Sequence, residues 1–205
     1  MDYFSSILLA IAACLPILSA NHKLKTHSIY FHKSSATCIS ILFSTGTFIS
    51  IILGKVVISL FNFYILHIFG IILLFIVGIY FLCEYKRHYE DFLGYDISFY
   101  YENTLKYKNI LENPNCLDKN SSKIIDITEC LSFAYALIIN SCSLFFAAGI
   151  IDIDIALCLV FNFLFSLVAF YIEYFIGKYE FFKYILKYHY LITGILLMIV
   201  SIFEI

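Results

Sequence analysis

Six long apolar stretches, near residues 4–20, 36–54, 60–83, 130–150, 153–176 and 187–203, are separated by polar gaps, one of them long. Each stretch approaches or exceeds the roughly 20 residues that an α-helix needs to cross the hydrocarbon of a bilayer. Charged side chains are scarce inside the stretches and gather between them. The pattern predicts an all-α integral membrane protein with six transmembrane helices. Pro16 falls inside the first stretch, where it removes one backbone donor, so a kink or local unwinding is expected there.

The polar gaps differ in charge. Lys23, Lys25 and Lys33 lie in the first gap, and Lys86, Arg87, Lys106, Lys108, Lys119 and Lys123 in the third. Lys178, Lys183 and Lys187 lie in the fifth, which leaves Lys55 alone in the even-numbered gaps. Basic residues collect on the cytoplasmic side of a membrane. The alternation predicts a multi-pass protein of the cell membrane, with both termini outside and the long loop cytoplasmic.

An internal repeat is legible at an offset of about 123 residues. Gly54-Lys55 matches Gly177-Lys178, Leu73-Leu74 matches Leu196-Leu197, and Ile76–Tyr80 matches Ile199–Phe203. With one residue of slippage, Ala10, Ala12 and Ser19 fall opposite Ala134, Ala136 and Ser143. The expected organisation is a three-helix membrane repeat at 1–83, a cytoplasmic linker at 84–129, and a second three-helix repeat at 130–205. Because three is odd, the second repeat must enter the bilayer from the opposite side. Such inverted repeats recur in secondary transporters, with the substrate site near the midplane.

Composition agrees with a lipid-embedded chain: 62% of the 205 residues are apolar and 14% charged, against about 45–50% and about 25% in soluble domains. Mean hydropathy is +0.91. A lipid bilayer is the expected partner, and a net charge of −2 gives no basic excess for nucleic acid. Asp2 is the one charge before Lys23, which argues against a cleaved signal peptide and for a retained first helix. Six of the seven cysteines lie in or beside apolar runs and lack metal or redox spacing, so they read as small apolar filler. His22, His27 and His32 recur every five residues, on no common helix face, and read as solvated loop residues. No nucleophile with a base, phosphate loop or zinc-protease motif occurs, so no enzyme activity is expected. Homo-oligomer formation is left open.

One polar segment has ligand-like spacing. Over Asp118–Glu129, Asp118, Asn120, Ser122, Asp126 and Glu129 fall at oxygen-ligand places of a twelve-residue EF-hand loop, with Ile124 offering a carbonyl. Lys123 stands where that loop normally has glycine in a positive-φ turn. Weak calcium or magnesium binding is one reading. The other is an unoccupied turn in which Asp126 or Thr128 caps the following helix.

These features together resemble the YtaF-type sporulation membrane proteins, grouped with MntP-type manganese efflux pumps among six-span exporters. The resemblance is clearest over Ser6–Pro16, Ile51–Lys55, Gly70–Leu82 and Asp118–Gly149. The family pattern D-x-D-x-S-G-x-I-x-x-x-E-A, then L-G-x-A-L-S-x-D-A, is matched here by D-K-N-S-S-K-I-I-D-I-T-E-C and L-S-F-A-Y-A-L-I-I-N-S. The resemblance implies a sporulation-associated membrane protein with the architecture of a divalent-cation exporter. It also implies an aspartate in the first and fourth helices, where this chain has Pro16 and Asn140. Manganese prefers hard anionic oxygens, so transport is expected to be impaired. The alternative is a working exporter of manganese or another cation that uses Asn140 and backbone carbonyls freed by Pro16. Asn140 and Asn162 also suit polar helix–helix contacts, and Ser44–Thr47 suit close packing.

Overall fold

The computed structural model describes residues 2–31, 33–61, 63–92, 110–111, 117, 123–176 and 185–204. Its elements in chain order are α1 (Asp2–Thr26), β1 (Tyr30–Phe31), α2 (Lys33–Leu60), α3 (Phe63–Phe92), β2 (Ile124–Ile125), α4 (Ile127–Ile150), α5 (Ile155–Ile176) and α6 (His189–Phe203). Among the described residues five helices are long and apolar enough to cross a membrane: α1 to α5. The sixth, α6, is apolar but has 15 residues, about 22 Å at 1.5 Å per residue. It starts two residues later than the apolar run, after a turn at Tyr188. There the His189 ring N–H at Nδ1 donates to the Leu186 carbonyl at 2.7 Å, giving that carbonyl a side-chain partner where the helix is interrupted.

Several helices run past the apolar stretches at their polar ends, whereas α3, α5 and α6 begin two or three residues inside theirs. α1 continues to Thr26, α3 to Phe92, and α4 begins at Ile127. The polar ends extend the helices past the hydrophobic segments because backbone hydrogen bonds continue wherever nothing breaks them. The expected linker at 84–129 therefore includes the last turns of α3, the β2 strand and the first turn of α4.

Side-chain contacts fix the helix directions. Cys158 meets Ser6, Asn162 meets Cys14, and Phe170 meets Asn21, so α1 and α5 run parallel. Ser35 meets Ile125, Gly46 meets Ile138, and Gly54 meets Gly149, so α2 and α4 also run parallel. β1 and β2, immediately ahead of those two helices, pair parallel as Tyr30 with Ile124 and Phe31 with Ile125. Gly78 meets Gly194 while Phe81 meets Tyr190, which makes α3 and α6 antiparallel. Packing is most extensive for α2 with α4, α3 with α6 and α1 with α5; α1 with α6, α2 with α5 and α3 with α4 follow.

Glycine decides the closest of these approaches. A Cβ on Gly149 would lie 2.2 Å from the Ile51 carbonyl oxygen, and one on Gly54 would lie 2.3 Å from that of Phe146. Small residues that let backbones touch are the usual means of helix association in lipid, where no hydrophobic force draws helices together. The core is built from α1, α4 and their neighbours: Leu9, Ile17, Phe43, Phe133, Leu137 and Phe145 are buried. In contrast α2 and α3 keep Ile49, Leu53, Ile65, Ile68, Ile72 and Ile76 exposed. Aliphatic rows of that size on a helix surface are consistent with contact with a lipid bilayer.

Candidate functional site in the bundle interior

Among the described residues the buried carboxylates Glu84 and Glu129 lie near the inner helix ends, and the polar side chains buried farther along the bundle are neutral. Asn162 of α5 is fully buried; its Nδ2 donates to Thr47 Oγ1 of α2 at 3.1 Å, and its Oδ1 lies 4.0 Å from the Cys14 sulfur of α1. Thr47 in turn donates to the Ser44 carbonyl, one turn back, at 2.9 Å. The contact ties three helices at one level, as expected of Asn162. Ser44–Thr47 divides its labour: Gly46 lets Ile138 approach, Thr47 carries the polar contact, and Thr45 is exposed. Ser40 Oγ and Ser44 Oγ are buried without a hydrogen-bond partner among the described residues.

Pro16 is buried in α1, which stays helical through it from Asp2 to Thr26. Proline lacks the N–H that would bond the carbonyl four residues earlier, which here is that of Ala12. Thr193 of α6, fully buried, donates its hydroxyl to that carbonyl at 3.4 Å. A side chain from a neighbouring helix thus occupies the carbonyl that Pro16 frees, and the expected unwinding is absent. Sequence reasoning missed Thr193. The signal available was a hydroxyl in an otherwise apolar run, which does not say which helix it meets.

Asn140 of α4 behaves differently. Phe133, Ala136, Leu144 and Ala147 stand seven before, four before, four after and seven after it, on the same helical face, and each is 0–1% exposed. Asn140 itself keeps partial exposure on this sealed face and has no hydrogen bond to another described residue. Its amide is therefore unspent among the described residues. The structure records no contact that brings Pro16 and Asn140 together.

Carboxylates occupy the ends of the bundle. At one end Asp152 pairs with Lys55 at 2.7 Å, Asp154 Oδ1 accepts the Leu157 backbone N–H at 2.9 Å, and Glu204 accepts the Ser5 hydroxyl. Phe4 and Phe203 meet at this same end. At the opposite end Glu84 pairs with Arg87 at 2.9 Å. Asn21 donates to the Phe170 carbonyl at 3.2 Å, and the Phe31, Phe133 and Phe170 rings pack together.

Of the calcium-type loop, Asp118, Asn120 and Ser122 lie outside the described residues. Lys123 has φ 61°, the left-handed conformation that glycine adopts at that place in an EF-hand loop. Ile125, at the eighth place, pairs with Phe31. Asp126 and Glu129 form a capping box at the start of α4, with the Glu129 carboxylate accepting the Asp126 backbone N–H at 3.0 Å. Both side chains therefore serve the helix N-terminus. No cluster of three or more His, Cys, Asp or Glu that could hold a metal ion occurs among the described residues.

Cys14, Cys130 and Cys158 are buried and fit a packing role, whereas Cys38 is half-buried and Cys83 and Cys142 are exposed. His22 lies within α1 and His27 in the turn after it, whereas His32 and Cys116 lie outside the described residues. No family model, characterised protein or solved structure matches the chain.

Proposed function

We propose that this chain is a six-span membrane protein of two inverted three-helix halves, with the architecture of a divalent-cation exporter and a neutral centre that does not carry such a cation. Under this reading α6, together with the residues just before it, completes the sixth span. The helix pairings support the two-half organisation. Exchanging α1 with α4, α2 with α5 and α3 with α6 converts α1–α5 packing into α4–α2 packing, and α1–α6 into α4–α3. Both α1–α5 and α2–α4 are parallel, as an inverted two-fold relation requires. Lys23, Lys86, Arg87 and Lys123 belong to the end opposite Lys55, which supports a cytoplasmic placement of that end and external termini.

The observation that carries the functional reading is the chemistry of the interior. Asn162, Thr47 and Thr193 spend their polar atoms on neighbouring helices, and the described carboxylates sit at the bundle ends. An ion crossing hydrocarbon needs compensating charge or several well-placed oxygens. The proposed role is that of a structural or regulatory membrane component, and the resemblance to YtaF-type proteins is what places it in sporulation.

A second reading, a working exporter of manganese or another cation, is favoured by one observation: Asn140 retains an unspent amide on an otherwise sealed face. Manganese flux into proteoliposomes separates the two. The native chain is expected to match empty vesicles, and Asn140→Ala to change nothing. Metal-dependent flux by the native chain that Asn140→Ala abolishes would establish the second reading.

A further inference from the structure

We propose that Cys38 of α2 and Cys130 of α4 form a dithiol pair that low-molecular-weight disulfides oxidise to a disulfide, clasping the inner ends of the two helices. α2 and α4 run parallel, and their contacts keep one separation along the chain. The Ser50 hydroxyl donates to the Cys142 sulfur at 3.5 Å across 92 positions, and a Cβ on Gly46 would meet Ile138 at that same separation. Cys38 and Cys130 stand at it too. The register holds toward the inner end, where Ser35 donates to the Ile125 carbonyl at 3.0 Å. The Ser35 hydroxyl is also a hydrogen-bond partner of the Cys130 thiol. Cys38 follows Ser35 by three residues, on the same helical flank, and its thiol is close enough to act electrostatically on that of Cys130. A disulfide needs Cα atoms about 4.4–6.8 Å apart, so the two backbones must lie against each other. A serine oxygen reaches one bond past its Cβ, and its bond to the Ile125 carbonyl shows that approach here.

The two thiols differ in access, which fixes their roles. Cys130 is 0% exposed, whereas Cys38 is half-buried, so a reagent meets Cys38 first. As thiolate, Cys38 attacks one sulfur of the small disulfide and expels one thiolate, leaving a mixed disulfide. The Cys130 thiolate then attacks the Cys38 sulfur and expels the second. Two protein thiols are oxidised to one disulfide, the small disulfide is reduced to two thiols, and the two protons end on those thiols. Cys142, the exposed thiol of the same seam, has the Ser50 hydroxyl as its register partner and lacks a second sulfur there. Under the proposed orientation the pair lies at the cytoplasmic end, where disulfides are transient and redox-sensing. Its chemistry is independent of whether the bundle moves ions.

The test incubates the purified full chain in detergent with oxidised glutathione, alkylates the remaining thiols, digests with pepsin without reductant and maps the peptides by mass. A cross-linked peptide joining Cys38 to Cys130 is expected, and prior treatment with dithiothreitol should abolish it. Cys130→Ser should leave Cys38 carrying one glutathione, and Cys38→Ser should leave Cys130 an unmodified thiol. A native chain in which Cys38 keeps its glutathione while Cys130 is alkylated overturns the proposal. So does Cys38 joined to a different cysteine of the chain or to a second copy. If the variants do not fold, the native chain decides alone: the Cys38–Cys130 peptide should dominate the cross-links from the folded chain and be one of several after unfolding in dodecyl sulfate. The same mixture from both states contradicts the pair.

Discussion

Thr193 and Pro16 should be energetically coupled although they lie on different helices. In the native chain the Thr193 hydroxyl covers the Ala12 carbonyl that Pro16 leaves open. Replacing Thr193 by valine keeps the volume and removes the donor. At 3.4 Å the bond is long, and side-chain hydrogen bonds between membrane helices average about 0.6 kcal/mol with a maximum near 1.7. Stranding the carbonyl adds part of the penalty for an unpaired buried acceptor, about 1–3 kcal/mol. Thr193→Val should therefore cost about 1–2 kcal/mol. In a Pro16→Ala background the new N–H at position 16 bonds the Ala12 carbonyl from within α1, and Thr193→Val should then cost about 0.5 kcal/mol. The predicted coupling is about 1 kcal/mol. It is measured by a double-mutant cycle, unfolding each purified variant in mixed micelles with increasing dodecyl sulfate and following helicity. Thr193→Ser, which keeps the hydroxyl, should unfold within about 0.5 kcal/mol of the native chain. A coupling below about 0.3 kcal/mol, or equal costs for valine in both backgrounds, refutes the compensation.

The remaining predictions concern packing and polar satisfaction in the bundle. Gly149→Ala places a Cβ 2.2 Å from the Ile51 carbonyl oxygen, a backbone atom that cannot turn aside, so α2 and α4 must separate; a loss of about 1–3 kcal/mol or more is expected in the same unfolding assay. Ile76→Ala on the exposed face of α3 should change stability by about 0.5 kcal/mol or less. Thr47→Val should cost more than Asn162→Leu, because it strands the Asn162 amide, about 1–3 kcal/mol, whereas the reverse change leaves Thr47 bonded to the Ser44 carbonyl. Equal costs for these two variants would show that Asn162 has another outlet for its donors.

The helices were legible because each carries a long apolar run, and runs of that length have few alternatives in lipid. Their pairing was less so. The repeat offset hinted at two halves, but Asn21 with Phe170 or Gly54 with Gly149 could not be read from a one-dimensional pattern. Pro16 illustrates the difference: its missing donor was evident in the sequence, yet Thr193 lies 177 positions away and gives no local sign of meeting Ala12. Asp126 and Glu129 show the converse. Their three-residue spacing fits both an ion loop and a capping box, and the hydrogen bond from the Asp126 N–H to Glu129 shows the cap formed. Asn140 was noticed as a polar residue in an apolar run, but only the structure shows that it shares a helical face with the buried Phe133, Ala136, Leu144 and Ala147.

The side of the membrane on which each chain end lies tests the inverted arrangement most directly. In intact cells, epitope tags at the N-terminus and the C-terminus should both be cleaved by an added impermeant protease, while a tag inserted within residues 93–109 should be cleaved only after lysis. Tags at the two ends that differ in accessibility, or that both require lysis, would contradict two oppositely inserted halves with external termini.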